Sequence, residues 1–241
     1  MKETLARLLL SPLLAAQALW VISRALQLPE AAGPRSGRIG TGPTLRLRII
    51  GDSSAAGVGV AHQDQALIGQ LTAQLSTEYH VDWTLSAKTG ATSKSTLTRL
   101  RSAPTAPADI VILVLGVNDT TRLTPVQTWR RRQRALMARI RSLHAPHLIY
   151  VTGVPPLGHF PLLPHPLRWT LGRHATALDA ARTADLHSQP DAIPVPFDLA
   201  PHPDLIAEDG FHPSAALYTL WAKEMASRIT SDWPTSQQPL L

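Results

Sequence analysis

Short apolar runs and stretches with helical spacing take turns along this chain. The first run, Leu45–Ile50, stops at Gly51 and predicts a strand, and Ala66–Leu75 follows with helical spacing. Val81–Leu85 predicts a second strand and Ser93–Arg101 a short helix. Asp109–Leu115 is the clearest strand: six consecutive apolar residues follow the aspartate, as expected of a strand buried on both faces in the middle of a parallel sheet. A helix from about Pro125 to His144, a strand at Leu148–Thr152, a proline-rich stretch from Gly153 to Arg173 and a helix reaching about Leu186 come next. A short strand at Ile193–Phe197 and a helix from Pro213 to Ile229 complete the body. Such alternation predicts an α/β fold, a parallel sheet with right-handed crossovers and helices on both faces. Sheets of this kind hold ligands beyond the carboxyl ends of their strands.

The amino-terminal part has a different pattern. Leu8–Ile22 is apolar apart from Ser11, Pro12 and Gln17, with Lys2 and Arg7 before it and Arg24 after it. About 15 residues are short for a membrane span, which takes about 20. The stretch fits a retained helix lying in a membrane interface, the core of an export signal, or a helix docked on the protein's own surface. Cleavage after Ala18 would leave Leu19-Trp20-Val21-Ile22 exposed, and cleavage after Ala25 places an arginine beside the cut. The chain therefore divides into an apolar helix (1–27), a Pro-, Gly- and Ala-rich linker (28–43), an α/β body (44–233) and a frayed tail (234–241). The expected location is a membrane surface, with export or the periplasm as the alternative.

Composition narrows the chemistry. With no cysteine there is no disulfide, thiolate metal site or cysteine nucleophile. The net charge of +6 owes much to Arg130, Arg131, Arg132, Arg134, Arg139 and Arg141. These interleave with Val126, Trp129, Met137, Ile140 and Leu143 as the solvated face of one amphipathic helix. No zinc-finger or lysine-glycine-aromatic pattern points to nucleic acid.

The residues that carry chemistry lie where strands end. Ser53 stands in Gly51-Asp52-Ser53-Ser54 after the first strand, Gly90 follows the second and Asn118 the third. Asp209 and His212 stand three apart, just before Pro213 at the entry to the last helix. A serine hydroxyl becomes a useful nucleophile when an imidazole takes its proton and a carboxylate holds that imidazole in the right tautomer. An oxyanion needs preorganised donors, here the N–H groups of Ser53 and Gly90 and the amide of Asn118. The glycines Gly51, Gly57 and Gly59 lack the Lys-Ser/Thr ending of a phosphate-binding loop. His202, Asp204, Glu208 and His212 lack the spacing of a metal site, so no metal and no cofactor is expected.

Gly-Asp-Ser, Gly90, Gly-Val-Asn-Asp and Asp-x-x-His, in that order from about Leu45 to Ile229, resemble the four blocks of the SGNH, or GDSL-type, hydrolases. The resemblance implies a flavodoxin-like, doubly wound three-layer α/β/α fold and metal-free hydrolysis of esters or thioesters through an acyl-enzyme. It implies Ser53 as nucleophile, His212 as base with Asp209 as its partner, and Ser53, Gly90 and Asn118 as the oxyanion hole. The first block departs from the family's pattern, since Ser54 stands where leucine is usual. The Gly-x-Ser-x-Gly elbow of α/β-hydrolases is absent. The expected substrate is a short-to-medium acyl or lipid-like ester. Leu157, Phe160 and Trp169 of the proline-rich stretch are the expected pocket lining. An O-acyltransferase using the same serine and a non-catalytic membrane or ligand-binding module are the alternatives.

Overall fold

The computed structural model describes residues 10–197 and 202–233. The tail expected to fray, 234–241, lies outside the described residues, as does the start of the apolar amino-terminal stretch. The described chain runs α1 (Ser11–Arg24), β1 (Ser36–Ile39), β2 (Thr44–Gly51), α2 (Leu67–Leu75), β3 (His80–Ala87), α3 (Ser93–Arg101), β4 (Ile110–Val114) and α4 (Val117–Thr121). It continues through α5 (Val126–His144), β5 (Leu148–Thr152), α6 (Leu167–Leu186), β6 (Ala192–Val195) and α7 (Ala215–Asp232).

The six strands form one sheet in the order β1-β3-β2-β4-β5-β6, all parallel except β1. β4 lies inside it, as its apolar run requires. Ile110, Ile112 and Val114 point into the core under α2 and α7, while Val111 and Leu113 point into the core under α3 and α5. Both faces of β4 are thus covered, and the molecule has three layers. A third apolar cluster, around Trp129, Leu157, Leu167 and Leu171, joins α5, α6 and the proline-rich strap between β5 and α6.

Two regions differ from the sequence reading. Ser36–Ile39, inside the stretch expected as a linker, pairs antiparallel with β3 as an edge strand. Gly37 lies against the Trp83 ring, where an added Cβ would come within 3.0 Å of it. α6 starts at Leu167, directly after Pro166, so the end of the expected loop is helical. The arginine-rich helix is α5, and several of its charges are engaged within the chain. Arg130 and Arg134 meet Asp185, and Arg141 meets Asp191. Hydrogen bonds from Arg130 and Arg134 hold the Asp185 carboxyl down at about 2. No helix among the described residues is long and apolar enough to cross a membrane.

Strand order positions the site. β2 has β3 on one side and β4 on the other, so the chain steps outward from β2 to β3 and then crosses back over β2 to β4, reversing direction. The crevice at the carboxyl ends of β2 and β4 is the switch point where such sheets take ligands.

Candidate active site

β2 ends at Gly51, where a Cβ would stand 2.4 Å from that of Ala55 and 2.9 Å from the Val114 carbonyl, so no larger residue fits this turn. The turn is pinned on several sides. Asp52 N–H donates to Val114 O at 3.1 Å, and Val58 N–H donates to Ser53 O at 3.1 Å. The buried hydroxyl of Tyr218, from α7, lies 2.9 Å from Ser54 O and 2.8 Å from Val58 O and donates to this carbonyl pair. Ser53, nearly buried, is left facing a cleft.

The second half of the site is the loop entering α7. Gly59, at φ +106°, lets the serine turn approach it, since a Cβ there would fall 2.1 Å from Pro213 O. Asp209 Oδ1 accepts the N–H groups of Phe211 and His212, both at 2.9 Å. Its other oxygen, Oδ2, lies 2.5 Å from His212 Nδ1. On the far side of the ring, His212 Nε2 is 2.9 Å from Ser53 Oγ. The structure thus brings Ser53, His212 and Asp209 into one continuous line, although 159 residues separate the serine from the histidine.

The charges fix the direction of this line. Burial would raise the Asp209 carboxyl, but the hydrogen bonds from the His212 ring and from two backbone N–H groups outweigh it and hold the group below the usual carboxylate range. An ionised carboxylate only accepts, so His212 Nδ1 carries the proton. The neutral ring then offers Nε2 as an acceptor to the serine hydroxyl.

Asn118, on α4 after β4, turns its Nδ2 toward Asp52 Oδ2 across a long 3.4 Å contact. Gly90 follows β3 in a turn at φ +74°, with nothing within 4 Å of where a Cβ would stand. Among the described residues, neither the Ser53 nor the Gly90 N–H has an acceptor within the protein. Asp119, next to Asn118, is a cap. Its Oδ2 accepts both the N–H and the hydroxyl of Ser93, at 2.8 Å each, at the start of α3.

Two residues of the site were given no role in the sequence reading, Asp52, which stood there only as part of Gly-Asp-Ser, and Tyr218. Tyr218 carries no local signal, and Asp52 joins a local partner, the Ser54 N–H that its Oδ1 accepts at 3.1 Å, to Asn118, which only folding brings near. Asp52 is fully buried, and burial pushes its carboxyl up to about 7. A carboxyl raised on folding gives stability that is greatest at low pH and declines as pH climbs from the unfolded value, about 4, to about 7. Asp52→Asn removes this ionisation. The Tm of the variant minus that of the wild type is expected to become more positive between pH 5 and pH 8 in thermal melts, whereas a constant difference would contradict this electrostatic account.

A cleft opens beside Ser53. Leu115, Val117, Phe160, Phe197, Phe211 and Trp221 are prominent among its mainly apolar lining. Of the three strap residues expected there, Phe160 lines it and stacks edge-on against Phe211. Leu157 and Trp169 do not line it. Leu157 is wholly buried in the neighbouring core, and Trp169 is 36% exposed on α6. The early start of α6 explains the latter, since helical phase turns Leu167, Thr170 and Leu171 inward and Trp169 outward.

The model of the GDSL-like lipase/acylhydrolase family matches residues 49–220. The chain belongs to that family. No curated protein matches it in sequence. Solved structures of similar fold include the psychrotrophic esterase EstA from Pseudoalteromonas sp., at 22% identity and TM-score 0.58, covering 77% of this chain and 97% of that one. A lipase from a goat rumen metagenome shares 16% identity at TM-score 0.61, covering 76% and 96%. A family 3 carbohydrate esterase from Clostridium thermocellum also shares 16% at TM-score 0.61, covering 78% and 96%. As a GDSL-family chain, the protein is an ester hydrolase by family. The matched segment begins inside β2 and ends within α7, so it takes in Ser53, Gly90, Asn118, Asp209 and His212.

Proposed function

We propose that the chain hydrolyses a short-to-medium acyl or lipid-like carboxylic ester through an acyl-enzyme on Ser53. The observation that carries this reading is the unbroken line from Asp209 Oδ2 through the His212 ring to Ser53 Oγ, with contacts of 2.5 and 2.9 Å. His212 Nε2 takes the hydroxyl proton as Oγ bonds to the acyl carbon, and the carbonyl π electrons move onto oxygen. The tetrahedral oxyanion collapses, the C–O bond to the alcohol breaks, and the imidazolium gives its proton to the leaving oxygen. Water then attacks the acyl-enzyme by the same route, with His212 again taking a proton. The acid departs as Ser53 regains its hydrogen. Asp209 stays ionised throughout and stabilises the imidazolium that forms twice per turnover.

The oxyanion's donors in this reading are the unengaged N–H groups of Ser53 and Gly90 and the Asn118 amide. The 3.4 Å contact to Asp52 is weak enough for Asn118 to exchange it for a charged oxygen. Asn118→Ala is therefore expected to lower kcat about 10²–10³-fold with little change in KM, measured on p-nitrophenyl butyrate. A variant that raised KM at unchanged kcat would assign Asn118 to substrate binding instead. The cleft's aromatic and aliphatic lining favours an acyl chain over a sugar or a charged acid. EstA, of similar fold, was solved with monoethylphosphonate as inhibitor, which suits attack by a serine oxygen. In the same reading α1 is a peripheral attachment to a membrane surface.

A further inference from the structure

α1 carries apolar side chains around most of its circumference, yet the fold covers only one side. Leu14, Ala18 and Val21 pack on the cluster around Trp129, Leu157, Leu167 and Leu171. Gln17, between them, makes a two-way clasp. Its Nε2 donates to His165 O at 2.5 Å, and its Oε1 accepts the Leu167 N–H at 3.0 Å. Around its outward half, Leu19 and Ile22 on one flank are 68% and 69% exposed, Leu13 and Trp20 on the other flank are half-exposed, and Leu26 stands just beyond the helix. Single exposed leucines are ordinary, but five large apolar side chains on and beside one short helix mark a contact surface.

Two occupants are conceivable, a second copy of this chain and a lipid surface. A helix of 14 residues is about 21 Å long and about 10 Å wide, so its free face offers roughly 200 Å². A stable dimer takes about 800 Å² from each partner. A lipid interface demands no such area or shape. It accepts apolar side chains to a depth of about 5–10 Å, favours tryptophan at the headgroups, and attracts basic residues when it is anionic. The charge pattern agrees, because Arg7 and Arg24 flank the stretch and no acidic residue occurs between Glu3 and Glu30. An interfacial helix ordinarily keeps a polar face toward water. In this chain the remainder of the protein occupies that side.

We infer that the outer face of α1 seats the chain on an anionic lipid surface, and that the surface supplies the ester to the cleft. The link between helix and cleft is physical. Phe211, packed on the cluster that receives α1, and Phe160, which belongs to that cluster, both line the cleft. The Gln17 clasp holds α1 to the end of the strap that carries Phe160. This inference rests on the ester-hydrolase reading for its substrate but not for its surface.

The test uses the full chain and the double variant Leu19→Ser/Ile22→Ser, which changes only exposed side chains. Binding is read by co-sedimentation with phosphatidylglycerol/phosphatidylcholine vesicles and with phosphatidylcholine alone. Activity is read on soluble p-nitrophenyl butyrate and on a fluorogenic long-chain ester held in the vesicles. The expected result is binding to the anionic vesicles that weakens at least tenfold in the variant. Vesicle-borne hydrolysis falls in parallel, and soluble hydrolysis stays within twofold of wild type. Equal vesicle binding by the two proteins, or no binding by the wild type, overturns the inference. A wild-type dimer in sedimentation velocity that the double variant dissolves would assign the face to a second copy. Loss of soluble activity in both proteins would overturn the hydrolase reading while the binding result still decides the surface.

Discussion

Replacing Ser53 with alanine is expected to lower kcat for ester hydrolysis by about 10⁴–10⁶-fold while leaving the fold intact. The size follows from what the hydroxyl does. In the proposed mechanism no acyl-enzyme forms without Oγ, and the remaining rate is what the proposed oxyanion donors give to direct attack by water. The fold survives because Oγ has, among the described residues, a single partner, His212 Nε2, at the edge of an open cleft where water can take its place. The turn itself is held by backbone bonds and by the Tyr218 hydroxyl, none of which involves the serine side chain. The check pairs steady-state kinetics on p-nitrophenyl butyrate with a thermal melt. A Tm within a few degrees of wild type shows that lost activity is lost chemistry. Retained hydrolysis would remove Ser53 as nucleophile.

Asp209→Asn should be almost as damaging, at about 10⁴-fold in kcat, for a reason that concerns one proton. Asp209 Oδ1 accepts two backbone N–H groups, and Oδ2 faces His212 Nδ1. An asparagine keeps its single oxygen best where two donors converge, which turns its NH₂ toward the ring. Nδ1 must then accept, the imidazole proton moves to Nε2, and His212 presents Ser53 with a donor instead of a base. Raising the pH does not correct a wrong tautomer, so the deficit should persist from pH 6 to pH 9. A variant whose activity returned to near wild type at pH 9 would contradict this tautomer account.

Several features of this site were legible in the sequence because they are local. Asp209 and His212 lie within one turn of chain, and the Pro213 that follows them marks the helix entry. β4 announced itself because six apolar residues in a row suit only a strand with both faces covered. α3 spans the Ser93–Arg101 expected of it, and the structure adds the capping box that Thr92 supplies at its start. The meeting of Ser53 and His212 is not local, and only the order of the motifs along an alternating α/β chain suggested it. Features that depend on tertiary neighbours stayed hidden. Ser36–Ile39 has too few apolar residues to read as a strand and exists because β3 offers it an edge. Trp169 looked like pocket lining until the helix beginning at Leu167 set its phase. Asp52 and Tyr218 act on groups 66 and about 160 residues away, and no spacing rule reaches that far.

The central claim is that the Ser53 oxygen, set against His212, is the atom that bonds to the acyl carbon. Covalent labelling with a fluorophosphonate, followed by peptide mapping in a mass spectrometer, tests this most directly. One adduct is expected, on Ser53, and none in Ser53→Ala. An adduct on any other serine, or equal labelling of Ser53→Ala, would contradict it.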